Sequence, residues 1–129
     1  MSLKAKGTNA ERELIHILWA KDIPAIRVAG SGSNKYPSPD IIAGTISRKI
    51  AIECKSVKSD SKYIPQEEIE ELKVFASKFG CEPWVGVRFA RREWLFLAIE
   101  DLEKTKNSYV IKKERAKLKG LLIDELWQN

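Results

Sequence analysis

A chain of 129 residues with 43% hydrophobic and 32% charged side chains suits one domain with one core, and no apolar run approaches the ~20 residues that span a bilayer. Its net charge is +5, and the whole excess lies in residues 1–62, which hold 11 Lys/Arg against 6 Asp/Glu, whereas residues 63–129 hold 12 of each. Two cysteines outside any C-x-x-C spacing argue against a disulfide framework and a zinc site, and the lopsided positive charge points to a polyanionic partner, nucleic acid first.

In chain order, residues 1–6 lack an apolar signal core, so they read as a flexible tail and the protein as cytoplasmic. Thr8 or Asn9 caps a helix running to Lys21, with Leu14, Ile15, Leu18 and Trp19 at helical spacing. Glu11 falls on that apolar face, where a carboxylate is costly unless a charge meets it; the helix dipole and water in the first turn offer the alternative. The lone histidine, His16, reads as a surface residue of this helix with no partner for metal or nucleophilic work. A short strand at 25–28 precedes the loop 29–39, which is rich in turn formers and lacks the Gly-Lys-Ser/Thr ending of a nucleotide loop.

Strands at 40–43 and 49–55 flank a turn at 44–48, and the polar segment 57–63 reads as mobile. Pro65, Glu67 and Glu68 start a helix with the stripe Ile69, Leu72, Phe75, Ala76 and Phe79, which Gly80 stops. Strands at 84–89 and 94–99 form a hairpin around Arg91 and Arg92. A further strand at 109–111 and a terminal helix at 118–127 complete the chain. The basic run 112–119 reads as a solvated face. The order α-β-β-β-α-β-β predicts an α/β fold, a mixed five-stranded sheet flanked by helices, within a single domain of 1–129.

Chemistry concentrates in two places, Pro39-Asp40 ahead of one apolar run and Glu53-Cys54-Lys55 at the end of another. On an alternating strand Glu53 and Lys55 share a face with Ala51, opposite Ile50, Ile52 and Cys54, so the apolar face packs inward and the polar pair stays accessible. Magnesium takes oxygen ligands and keeps part of its water shell, so one or two carboxylates suffice. Asp40 and Glu53 would supply those carboxylates. Lys55 would orient a water or offset charge on the phosphorane, and the sequence leaves that choice open.

Taken together, Lys6-Gly7-x-x-x-Glu11-Arg12-Glu13-Leu14, Arg27-x-Ala29-Gly30-Ser31-Gly32-Ser33, Pro39-Asp40-Ile41-Ile42-Ala43 and Ile52-Glu53-x-Lys55 closely resemble the archaeal Holliday junction resolvases. These are small members of the restriction-endonuclease-like PD-(D/E)xK superfamily, and the likeness runs from about Lys6 to Leu97. The resemblance implies a homodimer that resolves four-way DNA junctions in recombination and repair by symmetric nicking, with Mg²⁺ or Mn²⁺ and 5′-phosphate products. It implies metal-site carboxylates at Glu11, Asp40 and Glu53, a catalytic lysine at Lys55, and a serine near the scissile phosphate at Ser31 or Ser33. It also implies DNA contacts from Lys6, Arg12, Arg27, Ser33, Lys35, Lys58, Lys62 and Tyr63, the segment 57–63 being flap-like. Trp84, Phe89, Leu121, Leu122, Leu126 and Trp127 are candidates for the dimer contact. Whether a sliding clamp also binds is not legible in the sequence. A non-catalytic branched-DNA binder of the same fold, a general nuclease of the superfamily and a metal-free RNA endonuclease stand as rivals.

Overall fold

A computed structural model describes residues 3–30 and 35–128 of the chain, with side chains from Gly7 onward. Helix α1, Leu3–Ala20, buries Ala10, Leu14 and Leu18 at helical spacing, with Ile15 partly buried, whereas Trp19, expected on the same stripe, is 53% exposed. It begins earlier than its capping signal suggested. Residues 3–6, expected in a flexible tail, form its first turn, because Leu, Lys and Ala are good helix formers and a single Gly7 is tolerated within a helix.

The main sheet comprises β1 (Ala25–Arg27), β2 (Ile41–Gly44), β3 (Lys49–Val57), β5 (Glu82–Phe89) and β6 (Leu95–Ala98), in the order β1-β2-β3-β5-β6. Only the β3–β5 pair is parallel, so the predicted mixed five-stranded sheet is present. The crossover between those two strands carries β4 (Ser61–Pro65) and helix α2 (Gln66–Phe79). Gly80 ends α2 in the left-handed conformation, φ 84°, which a side chain would strain.

Residues 61–63, read from sequence as the end of a mobile segment 57–63, belong to β4, a strand in a second sheet of order β4-β8-β7, with β7 at Glu103–Lys104 and β8 at Ser108–Lys112. Only Ile64 of β4 is buried, so its amino acids carry no alternating signal. The terminal helix predicted at 118–127 is only the short α4 (Ile123–Leu126), and the basic run before it forms a separate helix, α3 (Lys113–Lys119). They part at Gly120, where a Cβ would collide with the Ala116 carbonyl.

Both faces of the sheet are covered. Ile50 and Ile52 of β3 join Leu14, Leu18, Phe96 and Leu126 in a core shared with α1 and α4. Ala51, Val57, Val85 and Val87 join Ile69, Leu72, Ile64 and Ile111 in a second core beneath α2 and the small sheet. A strand buried on both sides reads as a continuous apolar run, as β3 does until Glu53. Arg48, in the β2–β3 turn, ties the end of the chain to this frame. Its guanidinium lies 6.0 Å from the Trp84 ring centre and 5.6 Å from that of Trp127, donates two 2.9 Å hydrogen bonds to Glu82 and bonds the Leu126 carbonyl.

Candidate active site

Hairpin register brings the first two carboxylates together. Ile41 faces Ile52 across β2 and β3, so the next pair in the same register is Asp40 and Glu53. Asp40 is held by its own backbone, with N–H to the Ile52 carbonyl at 3.0 Å and carbonyl to the Val28 N–H at 2.8 Å. Its side-chain Oδ2 accepts the Cys54 N–H at 2.8 Å, which turns the carboxylate toward the end of β3.

Glu53 is not the accessible residue that strand alternation suggested. Helix α2 covers its face of the sheet and leaves its side chain 13% exposed and that of Lys55 17%. Burial, and next the charge of Asp40, push the Glu53 carboxyl up to about 8. Burial acts to lower the Lys55 ammonium, but Glu68 and then Glu53 outweigh it and hold its pKa above the ordinary lysine value. Lys55 is therefore a cation here. It lies 3.7 Å from Glu53 and 3.1 Å from Glu68 of α2, to which it donates a hydrogen bond.

Glu11 reaches the same electrostatic neighbourhood from α1. Burial and then Asp40 raise its pKa, while Arg27 at 3.4 Å and Lys55 pull it back. Arg27, a residue the sequence reading had assigned to DNA, thus offsets part of the cost of placing a carboxylate on the apolar face of α1. Cys54, between Glu53 and Lys55, packs into the α1-side core. Burial, followed by Asp40, pushes its thiol well above the ordinary range, so it is an inert apolar group.

Among the described residues, no three histidine, cysteine, aspartate or glutamate side chains converge on one point suited to a metal ion. The donor set instead fits a hard cation that takes Asp40 and Glu53 from the protein and completes its shell with water and phosphate oxygens. A carboxyl whose proton affinity is raised by burial and by a neighbouring carboxylate is the arrangement such a cation would relieve.

The remaining assigned residues divide by exposure. Arg12, Lys35, Lys58, Lys62 and Tyr63 are exposed, Tyr63 at 64%. Ser31 and Ser33 lie outside the described residues, as does the Lys6 side chain. The basic run of β8 and α3 is a solvated face, with Ala116 its only buried helical residue. Of the candidate dimer contacts, Phe89 and Leu126 belong to the cores, because their strand and helix turn them inward. Trp84, Leu121 and Trp127 pack partly against the α1-side core, and Leu122 is 38% exposed. The sequence reading missed Glu68 as a site residue. The signal was there in the crossover, since the first turn of a helix linking two parallel strands lies beside the carboxyl end of the first strand.

With this geometry in view, comparisons with known proteins agree with one another. The family model described as archaeal Holliday junction resolvase (Hjc) matches residues 2–128. The crossover junction endodeoxyribonuclease Hjc of Archaeoglobus fulgidus is 41% identical over 109 residues, 84% of this chain and 80% of the relative. That of Sulfolobus acidocaldarius is 40% identical over 129 residues, 98% of this chain and 89% of the relative. The solved structure of the Archaeoglobus fulgidus Hjc, a Holliday junction resolvase, superposes with a TM-score of 0.87 at 39% identity, covering 93% of this chain and 98% of that one. The fold is therefore restriction-endonuclease-like, as the resemblance implied.

Proposed function

Because the chain belongs to the archaeal Holliday junction resolvase family, we propose that it is a structure-selective endonuclease that resolves four-way DNA junctions by metal-dependent phosphodiester hydrolysis. The observation that carries the chemistry is the hairpin register that sets Asp40 against Glu53, with Lys55 one turn of the pleat further on. Asp40 and Glu53 would hold Mg²⁺ or Mn²⁺, with Glu11 as a third carboxylate behind them. When bound, the cation supplies electrophilic assistance at the phosphoryl oxygens and an acidified water for attack.

The protein's own groups do the rest. The Cys54 N–H holds the Asp40 carboxylate in one orientation before any ligand arrives. Arg27 screens Glu11 and keeps a third negative charge from crowding the pair. Lys55, as an ammonium, donates rather than accepts a proton, so it offsets charge on the phosphorane or orients the incoming water. Attack of water on phosphorus, with the P–O3′ bond breaking and the 3′-oxygen leaving as a hydroxyl, would give 5′-phosphate and 3′-hydroxyl ends. A homodimer places one such site on each of two equivalent strands, and symmetric nicking follows from the two-fold axis of the substrate. Exposed Arg12, Lys35, Lys58, Lys62 and Tyr63, with Lys6, Ser31 and Ser33, are proposed as the contacts that read backbone shape rather than base sequence.

The test is cleavage of a labelled four-way junction with Mg²⁺ and with chelator. Glu53→Gln should abolish nicking and leave junction binding nearly unchanged. Loss of binding with retained nicking, or equal cutting of linear duplex, would overturn the reading.

A further inference from the structure

Lys55 has two carboxylate neighbours, and the nearer one is not the motif glutamate. Glu68 Oε1 accepts its hydrogen bond at 3.1 Å, whereas Glu53 Oε2 stands at 3.7 Å. The two acids differ in what surrounds them. Glu53 is almost enclosed and lies opposite Asp40, while Glu68 sits in the first turn of α2 with its side chain 38% exposed. In the site proposed above, the Glu53 oxygens are needed by a cation. An ammonium left with Glu53 alone would lie against that carboxylate and neutralise it. A second acceptor, fixed on a different element, prevents this.

We propose that Glu68 is a positioning residue for the reaction: it anchors the Lys55 ammonium away from Glu53 and aims its remaining N–H donors at the substrate phosphate. The proposal rests on the metal-site reading above. Geometry makes the anchor rigid on both sides. Lys55 is held in the centre of the main sheet, in parallel register with Val87. Glu68 is held by its neighbour Ile69, which is wholly buried in the α2-side core, and by Pro65, which starts the helix. Lys55 has three donors, so the bond to Glu68 leaves two for other acceptors.

The experiment uses the full-length protein. Single-turnover cleavage of a saturating four-way junction in Mg²⁺ should slow by about ten- to a hundredfold in Glu68→Ala, the scale of a misaimed catalytic group. Junction affinity measured in chelator should stay unchanged. Glu68→Gln keeps an acceptor oxygen at the same length and should recover much of the rate, which an effect on folding alone would not produce. As a readout that needs no cleavage, the side-chain methylene NMR resonances of Lys55, assigned with Lys55→Met, should move toward those of exposed lysines in Glu68→Ala. A Glu68→Ala rate within about twofold of the parent, as for an ordinary exposed ion pair, or an unmoved Lys55 resonance, overturns the proposal. If that happens while Lys55→Met is inactive, the metal-site reading stands. If Lys55→Met cleaves as well as the parent, that reading falls, and the role of Glu68 with it.

Discussion

Glu53 concentrates the electrostatic cost of the site. A carboxyl with a pKa near 8 in the folded chain and near 4.5 in the unfolded one binds more protons when folded throughout that interval. Stability without a cation should therefore fall as pH rises from about 4.5 to about 8, then level off. Glu11, also raised, adds a slope of the same sign. Melting temperature in chelator should drop across this range, the drop should be smaller in Glu53→Gln, and that variant should melt above the parent at pH 8. Adding Mg²⁺ to the parent at pH 8 should raise its melting temperature again. A flat profile in the parent would show that Glu53 is not charged at the expense of the fold.

Individual elements were legible where burial imposes a period. The apolar run of β3, the buried positions Ile69, Leu72 and Ala76 of α2 and its stop at Gly80 stand as read, whereas Phe79 of the predicted stripe is 55% exposed and α2 covers the β3 face expected to stay accessible. β4 was missed because a strand with one buried side chain has no period to read. The start of α1 was missed because residues 3–6 carry helix propensity but no apolar period. At the site, Asp40, Glu53 and Lys55 could be read from spacing along a hairpin. The contact of Glu11 with Arg27 joins a helix to a strand and no local pattern marks it, while that of Lys55 with Glu68 is signalled only by the crossover and not by residue spacing. Packing between strands offers its own test. A Cβ at Gly86 of β5 would stand 3.1 Å from Ile52 Cγ2 and 3.1 Å from Phe96 Cε1, both wholly buried. Gly86→Ala should therefore destabilise the protein by about 1–3 kcal/mol through overpacking, measured by denaturant unfolding. Cleavage should also weaken, since Ile52 immediately precedes Glu53.

For the whole molecule, positive charge and acidic chemistry occupy the same half of the sequence, yet the last residues are fastened to that half. Arg48 sits against the rings of Trp84 and Trp127 and bonds Glu82 and the Leu126 carbonyl, while its own turn joins β2, which Asp40 immediately precedes, to β3, which carries Glu53. Removing the guanidinium leaves the Leu126 carbonyl without this donor and deprives the two rings of the cation beside them. Amide hydrogen exchange of Arg48→Ala should accelerate over residues 123–128 and over residues 44–50 by the same factor, with residues 69–76 of α2 unchanged. Equal acceleration in two segments so far apart would mean that they open as one cooperative unit. Fraying at the tail would then be felt as loosened breathing of the hairpin that presents the paired acids.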